Sequence, residues 1–254
     1  MLDSTTDGHV HTALCRHAVG EMDQYVQAAL DRGLRRLFFL EHFEAGINND
    51  YRCWLNPEDF VYYREEGERL RRRYAGRIEI GLGVEVGYNP RELAATREFL
   101  AASSWDRVGI SCHFLAIGPR HYNLLSSDPR TLAVFSEYGV ERTLSEYFAL
   151  LAEAVASLPA TQLCHLDAAL RHHPEVAAPL EKLSAGPVCE QIFQTMAARG
   201  MALEINTSGY SHRRGTAYPA PDLLARAGRF QLPLTAGSDA HRPEEVARFF
   251  DRLP

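Results

Sequence analysis

The run "RRLFFLEHF" at residues 35–43 is apolar through its middle and bounded by charge, and it reads as a buried β-strand. Its polar residues Glu41 and His42 arrive only near the C-terminal end. The same build recurs along the chain in "IEIGLGVEV" (78–86), "RVGISCHFL" (107–115), "TQLCHLD" (161–167), "MALEINTS" (201–208) and "LPLTAGSDA" (232–240), and an opening strand leads into residue 7. Candidate helices fill the intervals at 21–32, 57–75, 90–101, 141–157, 187–199 and 220–228, with a last one at 243–252. About seven β–α units predict an α/β fold with a parallel sheet, and they favour a barrel over an open doubly wound sheet. No linker, composition shift or internal repeat divides residues 1–254, so they read as one domain.

Local signals agree with this alternation. "GEMDQYVQAALDRG" (20–33) repeats apolar residues at helical spacing and closes on Gly33, a C-cap. "NPEDFVYYREEGERLRRRYAG" (56–76) opens on Asn-Pro, a cap and first turn. Its arginine-rich end reads as a solvated helix face that complements the helix dipole. No G-x-G-x-x-G or Walker A pattern stands at a strand-to-helix turn, which disfavours a Rossmann or P-loop enzyme.

The net charge of −6 argues against a general nucleic-acid binder. No apolar run approaches the roughly 18 residues of a membrane helix. The start "MLDSTTDGHVHT" lacks the features of a signal peptide, so a cytoplasmic location is expected. Five cysteines with no C-x-x-C pair predict neither a disulfide framework nor a zinc ribbon. Cys112 and Cys164 read as small buried hydrophobes.

Six of the seven strand ends carry a histidine or an acid. His9 and His11 lie in the first unit, Glu41 and His42 in the second, Glu85 in the third and His113 in the fourth. His165 and Asp167 end the fifth, and Asp239 and His241 follow the last. In a barrel those ends converge on one face. Residues i and i+2 of an extended strand point the same way, so His9 with His11, and Asp239 with His241, each offer two donors to one cavity. With His17, seven of eleven histidines belong to this set, too many for one ion. His121, His172, His173 and His212 fall in loop-like segments and are assigned no metal.

The motifs "DGHVHT" (7–12), "LCRHA" (14–18), "LEHF" (40–43), "GVEVGY" (83–88), "SCHF" (111–114), "CHLD" (164–167) and "GSDAH" (237–241) resemble those of the PHP (polymerase and histidinol phosphatase) superfamily. "HLDAALR" (165–171) and "EINTSGYSHRR" (204–214) resemble its monofunctional histidinol-phosphate phosphatases, and the likeness runs from residue 7 to about 250. The resemblance implies a distorted (β/α)7 barrel with three divalent metal ions, Zn, Fe or Mn. His9, His11, Glu85 and Asp239 would hold one ion. Glu85 would bridge to a second held by His113 and His165, and His17, His42 and His241 would hold the third. Asp239, Arg171 and Arg213 are carried over as the catalytic set. Arg171, Arg213, the alternative Arg214, and Asp167 would contact the substrate. Asp7 and Asp167 would orient histidine rings, with a contact to a substrate amine as a second role for Asp167. The tyrosine-containing loop 116–139 would cap the pocket.

The implied activity is hydrolysis of a small phosphomonoester, L-histidinol phosphate, in histidine biosynthesis. No nucleic acid or membrane partner is expected, and the oligomeric state stays open. Clustered divalent ions suit the task, because a phosphomonoester dianion repels hydroxide and its uncatalysed hydrolysis is extremely slow. Three other functions compete. Another PHP phosphoesterase could act on a different phosphomonoester or a nucleotide 3′ end, the latter needing a basic or aromatic track. A non-catalytic PHP-like module should have lost ligands. An amidohydrolase would want a strand-end lysine, and the only lysine is Lys182.

Overall fold

The computed structural model describes residues 2–254. In chain order the elements are β1 (Thr6–Val10), α1 (Met22–Asp31), β2 (Arg36–Glu44), α2 (Pro57–Arg73), β3 (Glu79–Gly87), α3 (Leu93–Ala101) and β4 (Val108–Ser111). There follow β5 (Phe114–Ile117), β6 (Arg120–Asn123), α4 (Pro129–Tyr138), α5 (Val140–Ser157), β7 (Gln162–Leu163), α6 (Ala177–Ser184), α7 (Pro187–Arg199), β8 (Ala202–Asn206), α8 (Pro221–Gly228) and β9 (Leu234–Gly237). Seven strands form one parallel sheet in the order β1-β2-β3-β4-β7-β8-β9, and β5 pairs antiparallel with β6. The sheet curls until its outer strands meet.

That meeting is a seam rather than a ladder. Val10 and Ala240 make a single parallel bridge, with His11 N donating to Ala240 O and Asp239 N to His9 O, each at 2.9 Å. The buried Asp7 carboxylate fastens the seam by accepting from Ser238 N (2.9 Å), Ser238 Oγ (2.5 Å) and Ala247 N (2.8 Å). The family resemblance implies that Asp7 orients a histidine ring. It instead receives hydrogen bonds that strand edges would otherwise leave unpaired.

Caps and core follow the sequence. Gly33 and Gly76 adopt φ of +71° and +76°, the left-handed region that glycine enters at least cost. Asn56 Oδ1 accepts from Asp59 N at 2.7 Å and Asp59 Oδ2 accepts from Asn56 N at 3.0 Å, a reciprocal cap at the start of α2. The basic end of α2 is tied down, with Arg71 bonded to Glu68 and the Ile80 carbonyl and Arg73 to Asp23. Buried Leu37, Phe39, Val84, Val86 and Ile110 from the strands pack with Tyr25, Leu70, Phe148, Leu151 and Phe193 from the helices. Among the described residues no helix is long and apolar enough to cross a membrane.

Several expectations change, and the strand expected over 161–167 shortens to Gln162–Leu163. The strand expected over 107–115 stops at Ser111, because the chain turns out into the β5–β6 hairpin. The segment 116–139 is therefore hairpin and helix α4 rather than a loop, and His121 lies in a strand. The last helix, expected over 243–252, is two short 3-10 turns at Pro243–Glu245 and Phe250–Arg252, separated by Ala247 and Phe249 at positive φ.

Candidate metal centre

His9 lies one residue before the end of β1 with His11 just beyond it, His42 and Glu85 lie near the ends of β2 and β3, and His113, His165, Asp239 and His241 follow β4, β7 and β9. The structure brings all of these together with His17. Glu85 is the hub. Its Oε1 lies 2.8 Å from His165 Nε2 and 3.4 Å from His113 Nε2, and its Oε2 lies 2.9 Å from His42 Nδ1, 3.5 Å from His9 Nε2 and 3.6 Å from His11 Nε2. Asp239 Oδ1 stands 3.3 Å from His11 Nε2 and 3.6 Å from His241 Nδ1. His17 reaches in from the loop after β1, its Nε2 2.8 Å from His241 Nε2. His165 and Asp239 sit at φ of +25° and +50°, a conformation that costs an L-residue about 1 kcal/mol or more. His165 N donates to Glu204 Oε2 at 2.9 Å, which helps hold it there.

The electrostatics are those of a cation site. Burial disfavours the charged form of Glu85, but the histidines around it, His113 first, hold its carboxyl well below the usual range. Asp239 is held low against burial by His11 and its neighbours. Burial, with His42 and His241 nearby, pushes His17 down to about 3, and burial also drives His11 far below its ordinary value. Neutral His11 and His17 beside ionised Glu85 and Asp239 suit a divalent ion. Against burial, Glu204 and Glu85 hold His9 well above its ordinary value, and Glu85 and Glu44 raise His113 to about 10, so these carboxylates favour positive charge at both rings. Several buried atoms have no hydrogen-bond partner: His11 Nδ1, Glu85 Oε2, His42 Nδ1 and Nε2, and His165 Nδ1. Atoms this costly to bury unpaired fit ligands of an ion. Three groups in particular could each hold one: His9, His11 and Asp239; His42, Glu85 and His113; and His11, His42 and His241.

The sequence motifs assign no role to two carboxylates in this layer. Glu44 Oε1 accepts from His113 Nδ1 at 2.7 Å, and Glu204 Oε1 from His9 Nδ1 at 2.6 Å. Each had a signal: Glu44 stands two residues past His42 on one strand face, and Glu204 is a charge inside an apolar strand. Glu41 points the other way and accepts from Thr12 N at 2.8 Å. Cys112 and Cys164 are buried as expected.

The cluster floors a cleft of about 300 Å³ whose rim includes Tyr51, Cys53, Asn123, Leu125 and Arg171. The hairpin supplies Asn123, so the segment 116–139 does border the pocket. Arg171 enters with its Nε buried and unpaired. Arg214 donates instead to Asp167 Oδ2 at 2.7 Å, and that carboxylate also accepts from Ala220 N at 3.2 Å. Asp167 thus orients an arginine and a loop, not a histidine ring. Arg213 is exposed and does not line the cleft.

A nearly closed seven-stranded parallel barrel with a histidine–carboxylate cluster beyond its strand ends defines a class. The PHP domain model matches residues 7–208, a model described as PHP-associated matches residues 224–250, and the chain belongs to the PHP family. It is 32% identical to the "Probable histidinol-phosphatase" of Deinococcus radiodurans, over 97% of this chain and 90% of that protein. It is 26% identical to the histidinol-phosphatase of Bacillus subtilis, over 96% of each. The crystal structure of histidinol phosphate phosphatase from Lactococcus lactis, complexed with zinc, L-histidinol and phosphate, superposes with a TM-score of 0.78 at 20% identity, covering 99% of this chain and 92% of that one.

Proposed function

We propose that this protein is a metal-dependent phosphomonoesterase that hydrolyses L-histidinol phosphate to L-histidinol and phosphate in histidine biosynthesis. The names of the relatives and the ligands of the Lactococcus lactis structure support the substrate. The observation that carries the chemistry is Glu85, whose two oxygens lie among five imidazoles, three of which, His42, His113 and His165, line an open cleft.

In this reading His9, His11, Glu85 and Asp239 would hold one divalent ion, Glu85, His113 and His165 a second, and His17, His42 and His241 a third. Such ions supply a nucleophile at neutral pH and offset the charge of a phosphate dianion. The protein does the rest. Arg171 turns its guanidinium to the phosphate oxygens, for which a planar fork of donors is suited. Tyr51 and Asn123 border the space left for the alcohol portion. Asp167 keeps Arg214 in place on the flank.

The test is phosphate release from L-histidinol phosphate beside a panel of other phosphomonoesters and a 3′-ended oligonucleotide, using protein of measured metal content and a His42→Ala control. Strong preference for L-histidinol phosphate, lost in the control, is the expected result. Activity confined to another member of the panel would overturn the substrate. Protein that takes up no metal would overturn the chemistry.

A further inference from the structure

We propose that Glu44 and Glu204 are positioning residues of this centre, and that positions 87 and 237 are glycine because each leaves the space in which one of those carboxylates sits. The proposal rests on the metal reading above. Neither glycine adopts a φ in the left-handed region, so conformational freedom does not explain them. Their surroundings do. Gly87 is the register partner of Glu44 on the neighbouring strand, and a methyl group there would overlap both Glu44 carboxylate oxygens and Cδ. Gly237 pairs with Asn206, two residues beyond Glu204, and a methyl there would overlap Glu204 Oε1 and come within 2.7 Å of His9 Cβ.

Each carboxylate so housed is buried and acts on one imidazole. Glu44 receives His113 Nδ1 at 2.7 Å, and Glu204 receives His9 Nδ1 at 2.6 Å while its other oxygen takes His165 N at 2.9 Å and Asn206 Nδ2 at 3.1 Å. An imidazole that donates from Nδ1 presents the Nε2 lone pair on the opposite side of the ring. In both cases that Nε2 faces Glu85, at 3.4 Å for His113 and 3.5 Å for His9. Two ligands on opposite sides of the hub are therefore set by one device: a glutamate on one strand, a vacancy on the next, and an imidazole between the glutamate and the metal position.

Gly87→Ala separates position from charge. It leaves Glu44 in the chain but takes its space, and only the end of a flexible side chain has to move. The measurement is the rate at which a chelator strips zinc from the loaded protein, with zinc per chain and the thermal unfolding of the metal-free protein recorded alongside. Gly87→Ala should lose zinc about 10- to 100-fold faster than the wild type, the range for removing such a support, with the metal-free unfolding temperature nearly unchanged. Glu44→Gln keeps an acceptor of the same shape and should fall between the two. A silent Gly87→Ala beside an impaired Glu44→Gln would show that charge alone matters and overturn the proposal. A metal-free protein destabilised as much as the loaded one would make Gly87 a packing position and overturn it as well. Wild-type protein that takes up no zinc would instead overturn the metal reading itself.

Discussion

The Nε2 atoms of His9 and His11 face each other across 2.9 Å. His9 Nδ1 donates to Glu204, so His9 Nε2 presents a lone pair that is met either by a hydrogen on His11 Nε2 or by an ion shared with it. Two nitrogens bound to one tetrahedral zinc at about 2.0–2.1 Å stand roughly 3.3 Å apart, close to this separation. His17 and His241 repeat the arrangement at 2.8 Å.

Removal of metal should therefore cost stability as well as activity. An ion present at a thousand times its dissociation constant contributes about 4 kcal/mol. Calorimetry of chelator-treated protein should show a lower Tm that zinc or manganese restores. A Tm indifferent to chelator would leave the facing imidazoles without an ion.

Glu85→Gln removes the charge at the hub while keeping its shape. Phosphatase activity should fall at least about 100-fold, because the ions and the in-line displacement both depend on that carboxylate. Elemental analysis of the same sample should show fewer ions per chain. Full occupancy with full activity would contradict the central role of Glu85.

Arg171 and Arg213 should behave differently. A charge-assisted hydrogen bond contributes about 1.5–3 kcal/mol, so Arg171→Ala should lower kcat/KM about 10- to 100-fold. Arg213 is exposed and outside the cleft lining, and its alanine variant should stay near wild type. Steady-state kinetics of the two variants would expose a reversal of that order.

Tyr63 joins two strands away from the chemistry, its hydroxyl donating to Phe39 O at 3.1 Å and Gly83 O at 2.9 Å. Tyr63→Phe removes this link and should cost about 1–2 kcal/mol, with kcat unchanged. Urea unfolding would read the loss directly.

Glu41 predicts a pH effect. Burial outweighs its bonds to Thr12 and pushes its carboxyl up to about 8. The folded state then binds more protons than the unfolded state between the ordinary glutamate range and about 8, so the Glu41 contribution to stability declines as pH rises through that window. Glu41→Gln should gain stability over the wild type between pH 5 and pH 8.5. Equal differences in metal-free Tm at the two pH values would refute this.

How much of this was legible beforehand varies by residue. Strand 36–44 could be read from its apolar run, and α2 from Asn56-Pro57 and its helical spacing, because burial and capping are local in origin. Repetition of His and acidic residues at successive strand ends also marked the centre, since a barrel sends those ends to one face. Loop geometry was less visible. The β5–β6 hairpin and the 3-10 turns at the C-terminus arise where the chain leaves the sheet and tertiary contacts override local preference.

Periodicity and spacing are properties of the chain, and they are enough for the parallel α/β class and for the set of side chains on offer to a metal. What each carboxylate does follows from packing. Asp7 closes the seam, Asp167 holds Arg214, Glu41 turns to Thr12, and Glu44 and Glu204 hold the rings of His113 and His9. A buried acid takes whichever donors surround it, and those donors come from residues as much as 240 positions away in the chain, as with Ala247 and Asp7.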